Sequence, residues 1–234
     1  MPGHTKLVSM ELPSNVPVMV LRNAILFPQA LVPLHIFEPR YRRMLADVLA
    51  GGRMFAVARR KPGASQERAE KVAGLGLVRA CVTHPDGTSH LVLQGLSRVE
   101  LVRTVRYKPY RVCRIQPWRP ETEETPAVLA LAVELLEVVR DRLKDLSDAS
   151  VAALSQQGLA ISPANSETAV ELFKSLLDHL NDLKDPEQVV DLVSAALLAD
   201  PAQRQIILQT RPLERRMRYL LRFLITPEEM DNLD

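Results

Sequence analysis

The stretch Leu21-Arg22-Asn23-Ala24-Ile25-Leu26-Phe27-Pro28 and, beyond Gln29-Ala30, Leu31-Val32-Pro33-Leu34-His35-Ile36-Phe37-Glu38-Pro39-Arg40-Tyr41-Arg42 decides the fold, because its periodicity changes within it. Val16 to Leu21 and Ala30 to Phe37 are short apolar runs rich in Val, Leu and Ile. They are separated by Arg22, Asn23 and Pro28, and each reads as a strand. At Phe37-Glu38-Pro39 the pattern turns helical. Proline suits the first helical turn, where its fixed φ is already correct and its missing N–H is not needed. Tyr41, Met44, Leu45, Val48 and Leu49 then follow at the spacing of one helix face, and Gly51-Gly52 supplies a C-terminal stop.

Working outward, Arg53 to Arg59 is strand-like and Lys61 to Lys71 is a polar, basic loop. Leu75 to Thr83 and His90 to Leu96 flank Pro85-Asp86-Gly87, a hairpin signal. Arg98 to Arg106 and Tyr110 to Gln116 read as two further strands. About six short strands with one inserted helix predict a compact barrel or sandwich, and closure is attractive because it removes exposed edges.

The segment Arg-Pro-Glu-Thr-Glu-Glu-Thr-Pro at 119–126 is polar and proline-flanked, as a linker is. Beyond it the chain reads as helices. Val128, Leu131, Leu135, Val139 and Leu143 form one stripe, and Ser162-Pro163, Asp185-Pro186 and Asp200-Pro201 each place a capping side chain before a first-turn proline. A last stripe of Leu213, Met217, Leu220, Leu221 and Leu224 is interleaved with Arg215, Arg216, Arg218 and Arg222, read as a solvated face. The fold class expected is α+β: a β-barrel module over 1–118, a linker over 119–126 and an α-helical bundle over 127–234.

Hydrophobic residues make up 47% and charged residues 25%, a globular mixture rather than a disordered one. The net charge of +2 conceals a split: 19 Lys and Arg face 7 Asp and Glu up to Pro120, and 11 face 21 after it. A basic half and an acidic half are therefore expected to dock on each other or to face different partners. Cys81 and Cys113 lie in apolar runs and read as small buried hydrophobes, so no disulfide framework is expected. With no signal-like amino terminus and no long uncharged apolar run, the expected setting is cytoplasmic, with no membrane association.

The search for catalytic or cofactor chemistry yields nothing that holds. Gly74-Leu75-Gly76 opens like a dinucleotide fingerprint, but Arg79 stands where a small residue belongs and the segment runs into a strand. His84, Asp86 and His90 surround the hairpin and offer metal donors, although a turn needs such residues anyway. His35 with Glu38 has the makings of an acid–base pair, against the simpler role of orienting the strand-to-helix corner. No catalytic residue, cofactor or metal is assigned.

Tyr107, Tyr110 and Trp118 are interleaved with Arg103, Arg106, Lys108, Arg111, Arg114 and Arg119, a pattern able to stack bases and follow phosphates. The alternative is a basic barrel rim with its aromatics tucked into the core, and aromatics total only 4%.

The Phe-Pro turn followed by Pro-Leu-His-Ile-Phe-Glu-Pro-Arg-Tyr closely resembles the start of the Lon protease N-terminal domain. Gly76 with its strand, the Asp86-Gly87 hairpin, Leu93-Gln94-Gly95-Leu96-Ser97-Arg98 and Tyr110 resemble the later family pattern, and the helices after Asp185 and Pro212 its helical part. The resemblance implies a barrel like that of pseudouridine synthase and archaeosine transglycosylase (PUA-like) joined to a helical bundle, and a role in holding substrate polypeptides. Because the chain ends at Asp234, without the family's ATPase and protease modules, a free-standing, non-catalytic substrate-binding domain protein is expected.

The expected ligand is an unfolded or apolar polypeptide segment held in a groove between barrel and bundle. The corner residues Phe27, His35, Phe37, Glu38, Arg40 and Tyr41 are its candidate contacts, with barrel closure as their competing role. RNA binding through Arg106, Tyr107, Lys108, Tyr110, Arg111 and Trp118 is the first alternative, and regulation of an ATP-dependent protease as its partner the second.

Overall fold

Val16, Val18 and Val20 alternate along the first apolar run, and alternation sends them to one side of a strand and Met19 to the other. In the computed structural model, which describes residues 12–63, 67–123, 125–144, 183 and 185–225, this run is β1 (Asn15–Leu21). The three valines enter a cluster with Ala56, Ala58, Ala73, Leu75, Val99 and Cys113, while Met19 enters a second one with Tyr41, Met44, Phe55 and Val57. β1 thus divides the interior of a curved sheet from the packing beneath a helix.

The other strands are β2 (Leu31–Ile36), β3 (Met54–Arg59), β4 (Val72–Thr83), β5 (Ser89–Arg106) and β6 (Val112–Pro117). Their order is β2-β5-β4-β3-β1-β6, and β6 also pairs with β5, so β1, β3, β4, β5 and β6 close into a ring. Only β1 and β3 run parallel, and a parallel pair needs a crossover; α1 (Pro39–Leu49) lies within it. β2 is left as an edge strand on β5, where Pro33 is tolerated because edge positions need not donate.

Two readings at this level change. Leu96 to Arg98 does not separate two strands, because β5 runs unbroken from Ser89 to Arg106 and absorbs the irregularity as register shifts against β4 and β6. Nor does the Gly51-Gly52 pair take the left-handed turn after α1: the C-cap Ala50 is helical, and Arg53 carries the positive φ of 57°. The glycines that geometry requires are in the strands. A Cβ on Gly95 would lie 1.8 Å from the Phe27 carbonyl oxygen, and one on Gly74 would lie 2.0 Å from that of Leu26. The Leu26-Phe27-Pro28 turn is pressed flat on β4 and β5, and Gly95 exchanges hydrogen bonds with Gln29 and Ala30 at 2.8 Å each.

After β6 come α2 (Pro126–Lys144), α3 (Pro186–Leu197), α4 (Pro201–Gln209) and α5 (Leu213–Leu224). The Asp185 carboxylate accepts from the Glu187 N–H at 2.9 Å and that of Asp200 from the Ala202 N–H at 2.8 Å, so both Asp-Pro pairs cap their helices. The start expected at Ser162-Pro163 lies outside the described residues. A third cluster joins Ile25, Phe27, Ala30 and Val72 to Leu135, Val139, Val190, Val193, Ile207, Met217 and Leu220. The fold is therefore mixed α and β, a six-stranded sheet with five helices among the described residues.

Candidate functional site

Pro39 fixes where α1 begins, and the corner just before it turns inward on one side and outward on the other. Tyr41 is buried; its hydroxyl accepts from the Val20 N–H at 3.1 Å and donates to the Val20 carbonyl at 3.3 Å, which ties α1 to β1. Burial raises its pKa above the usual phenol value. Phe27 is 0% exposed and belongs to the core shared with the helices. Arg40 grips Glu67 through two parallel bonds of 2.8 and 2.9 Å and holds Glu38 at 2.9 Å, leaving both carboxylates engaged. Of the six corner candidates, only His35 and Phe37 are exposed.

Those two belong to a larger outer face. Along β2, residues 31, 33 and 35 point outward, and the cross-strand partner of His35 is His90 on β5. The His35 and His90 rings stack with centroids 4.4 Å apart, Phe37 lies 5.6 Å from His35, and His84 bonds His90 through ring nitrogens at 2.8 Å. Beside the stack is a shallow depression of about 390 Å³ whose walls include Pro33, Ala80, Val82 and Val92. Val82 in its wall is 62% exposed, and Leu31 and Phe37, toward the two ends of β2, are 62% and 60% exposed. Cys81, read as buried, is only half-buried in the floor of this depression, whereas Cys113 is buried. His35 is thus engaged by neighbouring rings and Glu38 by Arg40. Among the described residues, no group of three His, Cys, Asp or Glu side chains is arranged to hold a metal.

The basic rim is largely occupied by itself. Arg106 lies 4.6 Å from the centroid of the Tyr110 ring, Arg111 5.5 Å from that of Tyr107, and Arg211 4.0 Å from that of Trp118. The Tyr110 hydroxyl donates to Asp47 at 2.7 Å, and Trp118 packs on the helix-side core. Of the three rim aromatics Tyr107 is the exposed one, with Arg111 over its ring and Lys108 beside it.

Among the described residues, the groove expected between sheet and helices is filled by the third core cluster. Its centre holds charges that sequence reading missed. Arg98 of β5 is 3% exposed; its Nη1 donates to Glu187 at 3.0 Å, its Nη2 to Asp191, and its Nε to the Leu208 carbonyl at 3.1 Å. Arg216, expected on a solvated face, is fully buried and donates to Glu187 at 3.2 Å. Burial raises Asp191 to about 6 against the pull of the two arginines. Burial also lowers the pKa of Arg216. Arg216 differs from Arg215 and Arg218 in its helical spacing: three residues after Leu213 and four before Leu220, it falls on the buried stripe of α5, a signal that reading the arginines together as one face passed over. Its acid partners sit on another helix.

Residues 15–226 match the model of the substrate-binding domain of ATP-dependent protease La (LON). Among curated relatives, Lon protease of Dictyoglomus thermophilum is 21% identical over 92% of this chain and 24% of its own length, and Lon protease 1 of Herpetosiphon aurantiacus is 26% identical over 85% and 24%. The chain thus spans about a quarter of the curated relatives it matches. Among solved structures, the N-terminal domain of Mycobacterium avium complex Lon protease superposes with a TM-score of 0.65 at 19% identity, covering 90% of this chain and 97% of that one. The Lon N-terminal domain protein from Xanthomonas campestris gives 0.59 at 21%, covering 90% and 99%. With the match running from β1 to the end of α5, the chain belongs to the LON substrate-binding domain family.

Proposed function

We propose that this chain is a non-catalytic, cytoplasmic holder of polypeptide segments, and that the outer face around His35 and Phe37 is where they bind. The observation that carries the reading is a shallow apolar depression lined by Pro33, Ala80, Val82 and Val92 on the outer face of the sheet, with Leu31 and Phe37 exposed toward the two ends of β2. An extended segment laid on such a face buries apolar area without requiring one sequence, which suits a binder of many substrates. In this reading residues 1–118, with a PUA-like barrel, supply the face, and the helical bundle of 127–234 braces it across the 119–126 segment. Phe27 and Tyr41 act by building the corner, Glu38 and Arg40 by fixing its angle, and His35 and Phe37 by contact.

Fluorescence anisotropy with a labelled, permanently unfolded, apolar-rich polypeptide tests this at low and high salt. Saturable binding that tolerates salt and weakens in Phe37→Ser is the expected outcome. Binding of single-stranded RNA alone, falling steeply with salt, would overturn it in favour of the basic rim around Arg106, Tyr107, Lys108 and Arg111.

A further inference from the structure

β2 pairs on one side only. The Gly95 N–H donates to the Ala30 carbonyl at 2.8 Å, one step before the register pair Leu31 and Gln94, and the bonds of an antiparallel ladder recur at every second residue. Val32, Leu34 and Ile36 therefore turn their backbone groups to β5, while Leu31, Pro33 and His35 turn theirs to the other side. Pro33 agrees with this phase, since it has no N–H to give β5. Every other strand has at least two neighbours, so β2 is the one edge of the sheet among the described residues. Among those residues, no backbone group outside β5 bonds to it.

Both faces of this edge are apolar. Leu31 and Pro33 are exposed on the outer side, with Phe37 just beyond the strand. On the inner side Val32 and Leu34 are only half-buried, although both pack on the core cluster beneath α1. β2 carries no Lys, Arg, Asp or Glu, the side chains that commonly guard an edge. An added strand would set alternate side chains beside Leu31 and Pro33 on one face and beside Val32 and Leu34 on the other. Resting on the polypeptide-holding role proposed above, we infer that β2 takes an extended polypeptide segment as an added strand, main chain to main chain. The segment it favours is apolar on both faces, as the core strands of an unfolded protein are. Pro33 leaves one donor out of the ladder, which keeps the hold reversible. A second copy of β2 would bring its own proline and leave out two, so a foreign segment fits this edge better.

Fluorescence anisotropy of the full chain with a short labelled peptide, an apolar run flanked by lysines, tests the mode. Methylating the backbone nitrogen of every second residue in the run forbids a helix but leaves one edge of donors intact, so this version should bind nearly as the parent does. Methylating every nitrogen in the run keeps all side chains and removes both edges, and should weaken binding by about tenfold or more. On the protein, His35→Pro removes an outward N–H that β5 does not use, and His35→Ala removes the same ring while keeping that N–H. The proline variant should bind the peptide on the order of tenfold more weakly than the alanine variant; if it loses its thermal transition, the methylated peptides decide. Full methylation without effect, or alternate methylation as damaging as full, would overturn the added strand while leaving the holding role in place. No binding of the parent peptide would overturn both. Self-association of the chain in sedimentation, dispersed by His35→Pro, would give the edge to a second copy and overturn the inference as well.

Discussion

Arg98 and His90 lie on the same strand, yet their surroundings are opposites. Around Arg98 the helices cover the sheet, and each charge meets acceptors fixed by another element: Glu187 and Asp191 of α3 and the carbonyl of Leu208 in α4. Around His90 the sheet faces outward, its rings stack on one another, and Phe37 and Val82 are left exposed. Specific partners hold one end of β5 in a single geometry, while the other end presents apolar surface with few directional demands. Rigidity is concentrated in one region and permissive contact in the other.

The largest effect expected from disturbing this contrast is at the turn that both regions lean on. Gly95→Val places side-chain atoms where the Phe27 backbone lies, and should abolish folding, read as loss of a cooperative thermal transition. Next, Arg98→Met removes one member of the buried charge group and leaves Asp191 and Glu187 undercompensated. A loss of about 3–5 kcal/mol is expected in urea denaturation, with Arg218→Met, whose partner Glu214 is exposed on the same helix, changing stability by under about 1 kcal/mol. A similar loss from both arginines would erase the distinction between the regions.

On the outer face the prediction is reversed. Phe37→Ser and Val82→Ser should each move stability by no more than about 0.5 kcal/mol while weakening the polypeptide probe severalfold. Unfolding by either variant would assign the patch to the core instead. The smallest effect is a pH slope. Asp191 has a folded pKa raised from 3.8 to about 6, so its contribution to stability is greatest below the unfolded value and declines as pH rises through the folded one. Thermal midpoints of Asp191→Asn relative to the parent should therefore shift in favour of the variant from pH 4 to pH 6, and a constant difference would refute the assignment.

The pattern of legibility follows the same division. Features encoded by neighbouring residues were readable: the strand-to-helix change at Pro39, the Pro85-Asp86-Gly87 turn, and the Asp185 and Asp200 caps. Features that depend on distant partners were not. The spacing of Arg216 put it on the buried stripe, but the Glu187 that receives it comes from α3, and Gly95 lay within a predicted strand with nothing beside it to show that the Phe27 turn is laid across it. The outer face was half legible, because His35 and Phe37 stood in a conspicuous motif while Val82 and His90 joined them only through β5 pairing. Among the described residues the space where a groove was expected is packed shut, since two apolar surfaces that will pack together read no differently in sequence from two that stay apart.

The shared core around Phe27 has a consequence for a chain made from its amino terminus. β1 waits for β6 to cover its free edge, and Phe27 and Arg98 wait much longer, for Val190, Asp191, Leu208 and Met217. Throughout that interval the nascent barrel exposes an aromatic ring and an uncompensated cation on the surface that becomes its most protected one. This domain therefore itself needs shielding during synthesis, until its last helices arrive.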